Sequence, residues 1–387
     1  MIDVFINMTL MGLILFELVI LLILLSNLRV LPRLGSYPTL SPANWPDVSI
    51  LVPARNEEDN IEACVRSLLG QNYPNFEVRV LDDHSTDGTW HILQQLATEN
   101  DRLSILQGDP LPADWLGKHW ACHQLAQTAA GEVLLFTDAD TRHHPLTLRD
   151  SVTALITEKA DLLTAMPFEE VGSWGEKLVV PIIPWSIFSF VPLALAYRLK
   201  YSALSATIGQ FMLFRREAYL KIGGYKAVQH HAVDDLALGR RIKAHGLRWR
   251  LVDGGQRIRC RMYNNFSQVY QGLSKNLFAA FEYKIPQFLF VWLWLGFVFW
   301  GPLAILGLAI VGLQFSPYSL ILATVAAAIA LFQWGITHRR FAFPQYLTLL
   351  YPIIILLSVI IAFNSMVLTL TNRATWKGRA LVRSGLR

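Results

Sequence analysis

The chain has 387 residues, of which 53% are hydrophobic and only 16% charged, with a formal net charge of +5. Soluble domains usually carry about a quarter charged residues, so a wholly soluble protein is excluded. The three cysteines, Cys64, Cys122 and Cys260, lie far apart with no CxxC pair, which excludes a disulfide framework and a structural zinc site and suits a cytosolic module.

Residues 10–28 are apolar apart from Glu17. The run is longer than a signal-peptide core, lacks a basic n-region and has no A-x-A site after it, so residues 1–30 are expected to be a retained transmembrane anchor. Arg29 and Arg33 follow the anchor and no Lys or Arg precedes it, which orients the N-terminus outward and the following module into the cytoplasm. Glu17 is an intramembrane carboxylate, read either as a functional group or as a side chain facing another helix. Residues 31–47, rich in Pro and polar residues from Pro38, are expected to be a linker.

Strands and helices then alternate. Strands are expected over 48–52, 78–81, 103–106 and 133–137, and helices over 56–69, 88–98 and 119–130. This alternation implies an α/β fold with a mainly parallel sheet, whose ligands sit beyond the carboxyl ends of the strands. The strand at Val133 runs straight into Asp138-Ala-Asp140. Residues two apart on a strand share a face, so the two carboxylates are expected to converge on one hard cation, Mg²⁺ or Mn²⁺, together with substrate phosphates. After the second strand come Asp82 and Asp83, carboxylates suited to accept from a nucleobase N–H or ribose hydroxyls. Ser85, Thr86 and Asp87 beside them read as caps of the next helix. Each acidic motif is read as sitting just after a strand, so all are expected on one edge. His143 and His144 read as an exposed pair.

The order of these motifs resembles the family 2 glycosyltransferases with their GT-A nucleotide-diphospho-sugar fold. The resemblance covers roughly 48–280 and rests on four pieces: the run from Val48 to Glu57, the run from Asp82 to Thr89, Phe136-Thr-Asp-Ala-Asp140, and Val233-Asp-Asp235 continuing to Arg240. Within the family the chain looks most like the membrane-bound carotenoid- and hopanoid-associated subgroup, through the run from Trp115 to His123 and that from Cys260 to Tyr263. The resemblance implies roles residue by residue. Asp138 and Asp140 would hold the metal, Asp140 more directly. Asp82 and Asp83, with Pro53, Arg55 and Glu57, would line the nucleotide pocket. Lys118 would touch phosphate or donor sugar, its plain alternative being an exposed loop lysine. Asp235 would be the base of an inverting transfer, with Asp234 as the alternative, and capping of helix 236–245 as the bland reading of both. Gly209, Gln210 and Phe211, together with Gly223-Gly224-Tyr225, would form the acceptor side. Gly223-Gly224 would either approach a ligand or simply turn the chain.

Residues 174–201 are aromatic and apolar but interrupted by Pro181, Pro184 and Pro192, and are expected to lie along the membrane surface. Apolar runs at 288–313, 320–333 and 347–370 give C-terminal transmembrane helices within 285–370. Residues 371–387 carry Arg373, Lys377, Arg379, Arg383 and Arg387 and no acid, five charges that equal the net +5. Such a tail suits lipid headgroups, and no basic–aromatic stripe marks a nucleic-acid site. Placing His338-Arg-Arg340 in the cytoplasm sends this tail outside, against the positive-inside rule. Either 288–313, broken at Gly301-Pro302, is a re-entrant hairpin, or 320–333 does not fully cross.

The expected protein is thus a multi-pass protein of the inner (cell) membrane with a cytoplasmic GT-A domain over 48–284. It would move a sugar from a nucleotide sugar, read as UDP-sugar, to a membrane lipid such as a carotenoid or hopanoid. A processive polysaccharide synthase is the alternative, disfavoured because no Gln-x-x-Arg-Trp run follows the base. A non-catalytic membrane partner is the second alternative. The sequence carries no signal of oligomeric state.

Overall fold

The computed structural model describes residues 1–38, 45–373, 375–376 and 379–380. Part of the expected linker, 39–44, and most of the basic tail, including Lys377, Arg383 and Arg387, lie outside the described residues. Two compact units emerge. One comprises 31–170, 195–262 and 375–387; the other comprises 1–30, 171–194 and 263–374.

In chain order the elements are α1 (Ile2–Val30), β1 (Val48–Ala54), α2 (Ile61–Leu69), β2 (Phe76–Asp82), α3 (Thr89–Glu99), β3 (Leu103–Gln107), α4 (Gly117–Thr128), β4 (Val133–Thr137), β5 (Thr141–His143) and α5 (Thr147–Thr157). Then come β6 (Leu162–Met166), β7 (Phe168–Glu169), the short helices α6 (Trp174–Lys177), α7 (Ile182–Phe190) and α8 (Leu193–Ala196), β8 (Phe211–Arg215), α9 (Arg216–Lys221), α10 (Asp234–Ala244), β9 (Trp249–Asp253) and β10 (Ile258–Cys260). Four longer helices close the chain: α11 (Phe266–Ala280), α12 (Ile285–Ile310), α13 (Pro317–Arg340) and α14 (Tyr351–Leu370).

The first unit is built on a seven-stranded sheet in the order β3-β2-β1-β4-β8-β6-β9. β1, β2, β3 and β4 are parallel, as alternation with helices predicts, and β8 alone runs against both its neighbours. Val48, Ile50 and Val52 of β1 and Val78 and Val80 of β2 are buried, and the inward faces of α2, α3 and α5 cover them in one apolar core. Strands buried on both faces read as continuous apolar runs, which is why 48–52 and 133–137 were visible in the sequence. A small sheet, β5-β10-β7, stands apart from the large one and pairs Cys260 with Thr141 on one side and Glu169 on the other.

Two expectations need correction here. Residues 31–47 are not all linker: Arg33 bridges to Asp253, Leu34 N–H donates to the Asp253 carbonyl at 2.7 Å, and Leu34 is buried in the core. The helix expected from Asn56 starts only at Ile61, because residues 56–60 are used to bind the loop after β2.

The other unit is helical. Four helices are long and apolar enough to cross a bilayer: Ile2–Val30, Ile285–Ile310, Pro317–Arg340 and Gln345–Leu370, the last including a 3₁₀ turn before α14. α12 continues through Pro302 and is one helix, not a re-entrant hairpin, and α13 at 24 residues is long enough to span. Glu17 is fully buried, and its backbone carbonyl accepts from Gln333 Nε2 at 3.1 Å, so its side of α1 faces α13. α6, α7 and α8 have four, nine and four residues, too short to span. Residues 171–194 cluster with α1 rather than with the large sheet, which shifts the expected 48–284 boundary. Asn27 is the tie: its Nδ2 donates to the carbonyls of Phe188 and Val191 at 2.7 Å, and its Oδ1 accepts from Leu193 N–H at 2.8 Å.

Candidate active site

β1, β2 and β4 end side by side, so Arg55, Asp82 and Asp138 leave the same edge of the sheet. Asp82 closes β2, with Oδ2 accepting from Ser85 N–H at 3.2 Å while Oδ1 is buried without a partner. Asp83 is buried as well, and its N–H donates to the Ala54 carbonyl at 2.8 Å. The loops after β1 and β2 are knit together: Asn56 N–H donates to Ser85 Oγ at 2.9 Å, and Glu57 N–H to Thr89 Oγ1 at 2.8 Å. Arg55 donates to the carbonyls of Asp83 and His84, so this guanidinium shapes the pocket loop from behind. Pro53 lies in β1 opposite Leu81, one residue short of that edge. The capping expected of Ser85, Thr86 and Asp87 is not what is found: the N-cap of α3 is Gly88, Ser85 and Thr86 bond Asn56, and Asp87 Oδ1 accepts from Thr89 N–H at 3.0 Å from just before the cap.

Asp138-Ala-Asp140 lies not on β4 but in the turn between β4 and β5, with Thr141 N–H closing on the Asp138 carbonyl at 3.3 Å. Strand alternation therefore does not bring the two carboxylates together; the turn does. Asp140 Oδ1 is buried and has no hydrogen-bond partner. Burial first, then the Asp138 and Glu57 carboxylates, push the Asp140 carboxyl above its usual range. Hard oxygen donors crowded in this way suit Mg²⁺ or Mn²⁺. Among the described residues no group of three or more His, Cys, Asp or Glu could hold a metal.

Lys118 is in the first turn of α4 and not on a loop. Its Nζ is 2.6 Å from Asp138 Oδ1 and 3.9 Å from Asp234 Oδ2. Burial works against the charge, but Asp138 and Asp234 outweigh it and raise the ammonium above its ordinary value. One lysine thus links the turn after β4 to the start of α10.

Asp234 and Asp235 open α10 after a 3₁₀ turn and a loop, so they are the exception to acids following strands. Asp234 is buried, with Oδ2 accepting from the Tyr225 hydroxyl at 3.2 Å. Asp235 is held at both oxygens: Oδ1 accepts from Leu236 N–H at 2.7 Å and Oδ2 from Gly209 N–H at 2.9 Å. Burial and then the Asp234 charge raise its carboxyl above the ordinary range, which suits a base working near neutrality. Gly223 and Gly224 take φ of +81° and +53°, where Gly224 brings the chain against the Tyr219 ring.

Three expectations about side chains are overturned. Phe211 is fully buried in the apolar core, so it packs the sheet and does not reach an acceptor. Gln210 is buried, with its amide turned to Glu169 and Cys260, while the Gly209 N–H touches Asp235. His143 is not exposed; its Nε2 lies 2.9 Å from Thr141 Oγ1 and 3.2 Å from Thr137 Oγ1, and burial holds the imidazole down at about 3. Tyr225, expected on the acceptor side, instead donates its hydroxyl to Asp234. Missed altogether was Glu169, whose sequence neighbour Glu170 gives no sign of which acid is buried; only the fold reveals its partners.

Residues 49–223 match the family model for glycosyl transferase family 2. The 4,4'-diaponeurosporenoate glycosyltransferase of Staphylococcus aureus (strain USA300) is 26% identical over 358 residues, covering 87% of this chain and 88% of the relative. A mannosyltransferase from Pyrobaculum calidifontis, solved in complex with GDP-Man and Mn²⁺, superposes with a TM-score of 0.53 at 17% identity, over 94% of this chain and 98% of that one. With a mainly parallel sheet that gathers Asp82, Asp138 and Lys118 at one edge, these findings identify residues 49–223 as a glycosyl transferase family 2 domain, built on the GT-A fold.

Proposed function

We propose that this glycosyltransferase moves a sugar from UDP-sugar to a lipid acceptor in the membrane, a carotenoid, hopanoid or similar apolar molecule. Transfer inverts the anomeric centre and uses Mg²⁺ or Mn²⁺ held by Asp138 and Asp140. The observation that carries the reading is Lys118, whose single ammonium reaches both the metal-binding turn and the acidic pair of α10. Support for the metal comes from the Mn²⁺ in the Pyrobaculum complex, and for an apolar acceptor from the carotenoid after which the Staphylococcus relative is named. The four apolar helices support a setting in the inner membrane, and the position of Arg29 and Arg33 supports a cytoplasmic catalytic unit.

Each group has a defined task. The bound ion would neutralise charge on the departing diphosphate. Lys118 supplies a mobile positive charge on the same side, and Asp82 and Asp83 accept hydrogen bonds from the nucleoside. Asp235 accepts the proton of the acceptor hydroxyl; two backbone N–H groups fix its carboxylate, and each oxygen keeps a lone pair for the acceptor. Inversion needs that base across the ring from the leaving group.

The test uses the full-length protein in membranes supplied with a lipid extract, UDP-sugar and Mn²⁺, reading UDP release and glycosylated lipid. Turnover should disappear in Asp140→Ala and fall steeply in Asp235→Asn. Wild-type turnover in either variant refutes the assignment, and a polymer on a sizing gel would point instead to processive synthesis.

A further inference from the structure

The chain between α8 and β8 is held along one face of α10. Asp235, Gly239 and Lys243 follow one another at intervals of four residues, so they share that face. Lys243 is buried, and its Nζ donates to the carbonyls of Ala196 at 2.7 Å and Leu204 at 2.9 Å. One ammonium thus joins two points eight residues apart and makes 197–203 a short, fixed loop. Tyr197 pins its root from another side: the hydroxyl donates to the Leu251 carbonyl at 3.2 Å, on β9 at the edge of the large sheet. Past Leu204 the same stretch meets the first turn of α10. There Thr207 Oγ1 donates to the Asp235 carbonyl at 2.6 Å, and Gly209 N–H to Asp235 Oδ2 at 2.9 Å. The loop and the proposed base are parts of one hydrogen-bonded assembly.

What this loop presents is not what water favours. Leu195 is 52%, Leu199 45% and Tyr201 73% exposed, and Arg198 and Lys200 stand exposed among them. No acid occurs from Lys177 to Arg216. Apolar side chains on a fixed surface beside charge of one sign mark a membrane or protein contact. Two observations favour the membrane. Tyrosine settles at the membrane–water interface, and each cation is drawn to anionic headgroups. The loop is also tethered close to them. Leu193 N–H is held by Asn27, three residues before the end of α1, and the five residues from Leu193 to Arg198 extend no further than about 18 Å. With 29 residues α1 is about 43 Å long, against an apolar bilayer core of roughly 30 Å, so its ends reach the headgroups.

We propose that residues 195–203 dock on an anionic bilayer surface, and that their seating there steadies the Gly209–Asp235 contact and raises turnover. The docking rests on the membrane setting proposed above, and the activation on Asp235 as the base.

The experiment places the full-length protein in nanodiscs of phosphatidylcholine alone or mixed with phosphatidylglycerol. An environment-sensitive dye is attached to Ala203→Cys; Cys64, Cys122 and Cys260 are buried, so the label reports position 203. Phosphatidylglycerol should brighten and blue-shift the dye, and about 1 M salt should reverse this. Arg198→Gln combined with Lys200→Gln should move the docking equilibrium about 30-fold toward the free loop, from about 1 kcal/mol per cation. Turnover at saturating UDP-sugar should rise with phosphatidylglycerol in the wild type and stay flat in the double variant, whose turnover in phosphatidylcholine matches wild type. Lys243→Met keeps the stem and removes both bonds, so the dye should still respond while turnover no longer rises; a full rise there overturns the route to Asp235. Should that variant not fold, the double variant still decides. A dye that ignores phosphatidylglycerol overturns the proposal, as does a dye response without a rise in turnover. A response that follows protein copies per disc rather than lipid charge also overturns it and points to a second copy of this chain. A chain that does not enter nanodiscs sinks the membrane setting and this proposal together. Wild-type turnover in Asp235→Asn sinks the base reading and the activation, while the dye alone still decides the docking.

Discussion

Asp235 shows how a single carboxylate is prepared for its task. Its two backbone partners set its direction, while burial and Asp234 raise its affinity for a proton. A base must be deprotonated to act, so with a hydroxyl acceptor the rate should climb as pH rises through the raised Asp235 range, and a pH–rate profile checks this. The acceptor's own acidity provides a sharper test. A lipid carboxylic acid is already ionised at neutral pH and needs no base. Asp235→Asn should then cost about 10²- to 10⁴-fold in turnover with a hydroxyl lipid and far less with a carboxylic one. Glu169 makes a separate prediction. Burial and the Asp140 charge push it up to about 8, against a hydrogen bond from Gln210 that works the other way. Between the ordinary carboxylate range and that value the folded chain holds a proton that the unfolded chain releases, so stability should fall as pH rises from about 5 to about 8. Thermal melts of the solubilised protein should show that slope, and Glu169→Gln should flatten it. Asp82, Asp138 and Asp140 were legible because acids directly after apolar strands stand out. Glu169, His143 and Cys260 were not, because their meaning comes from burial, which residues distant in the chain create.

At the scale of elements, α10 owes its position to a close approach. A Cβ on Gly239 would come within 2.7 Å of Thr207 Cγ2, and Thr207 Oγ1 donates to the Asp235 carbonyl at 2.6 Å. Gly239→Ala should push the helix from Thr207, cost about 1–3 kcal/mol of stability and lower turnover by displacing Asp235. Melting temperature and UDP release measured on one preparation would show both changes. The parallel strands β1 to β4 could be read from their alternation with helices. β6, β8, β9 and β10 could not, since five-residue runs such as Phe211–Arg215 look alike in a strand and a buried helix. The strand over 133–137 has the bounds expected of it, but the convergence of Asp138 and Asp140 was argued from strand alternation, whereas a turn carries both residues.

Across the whole molecule, composition already separated a polar enzyme from four apolar helices, and the structure extends those helices to lengths of 20 residues or more. Since α12 and α13 each suffice to cross, a reporter fused at Ser316 should lie outside and one after Arg340 in the cytoplasm, where His338, Arg339 and Arg340 favour it. A reporter at Ser316 found in the cytoplasm would restore the idea that α12 does not span. Finally, the path from β7 to β8 leaves the small sheet at Glu169 and joins the large one after Gln210, and those two side chains are hydrogen-bonded across 41 positions of sequence. The intervening chain is therefore a closed excursion with a clasped neck. Its length enters folding only through the slowly growing cost of closing a longer loop. The clasp therefore holds the neck in place beside the turn after β4, while Asn27 of α1 fixes the far part of the excursion at Phe188, Val191 and Leu193.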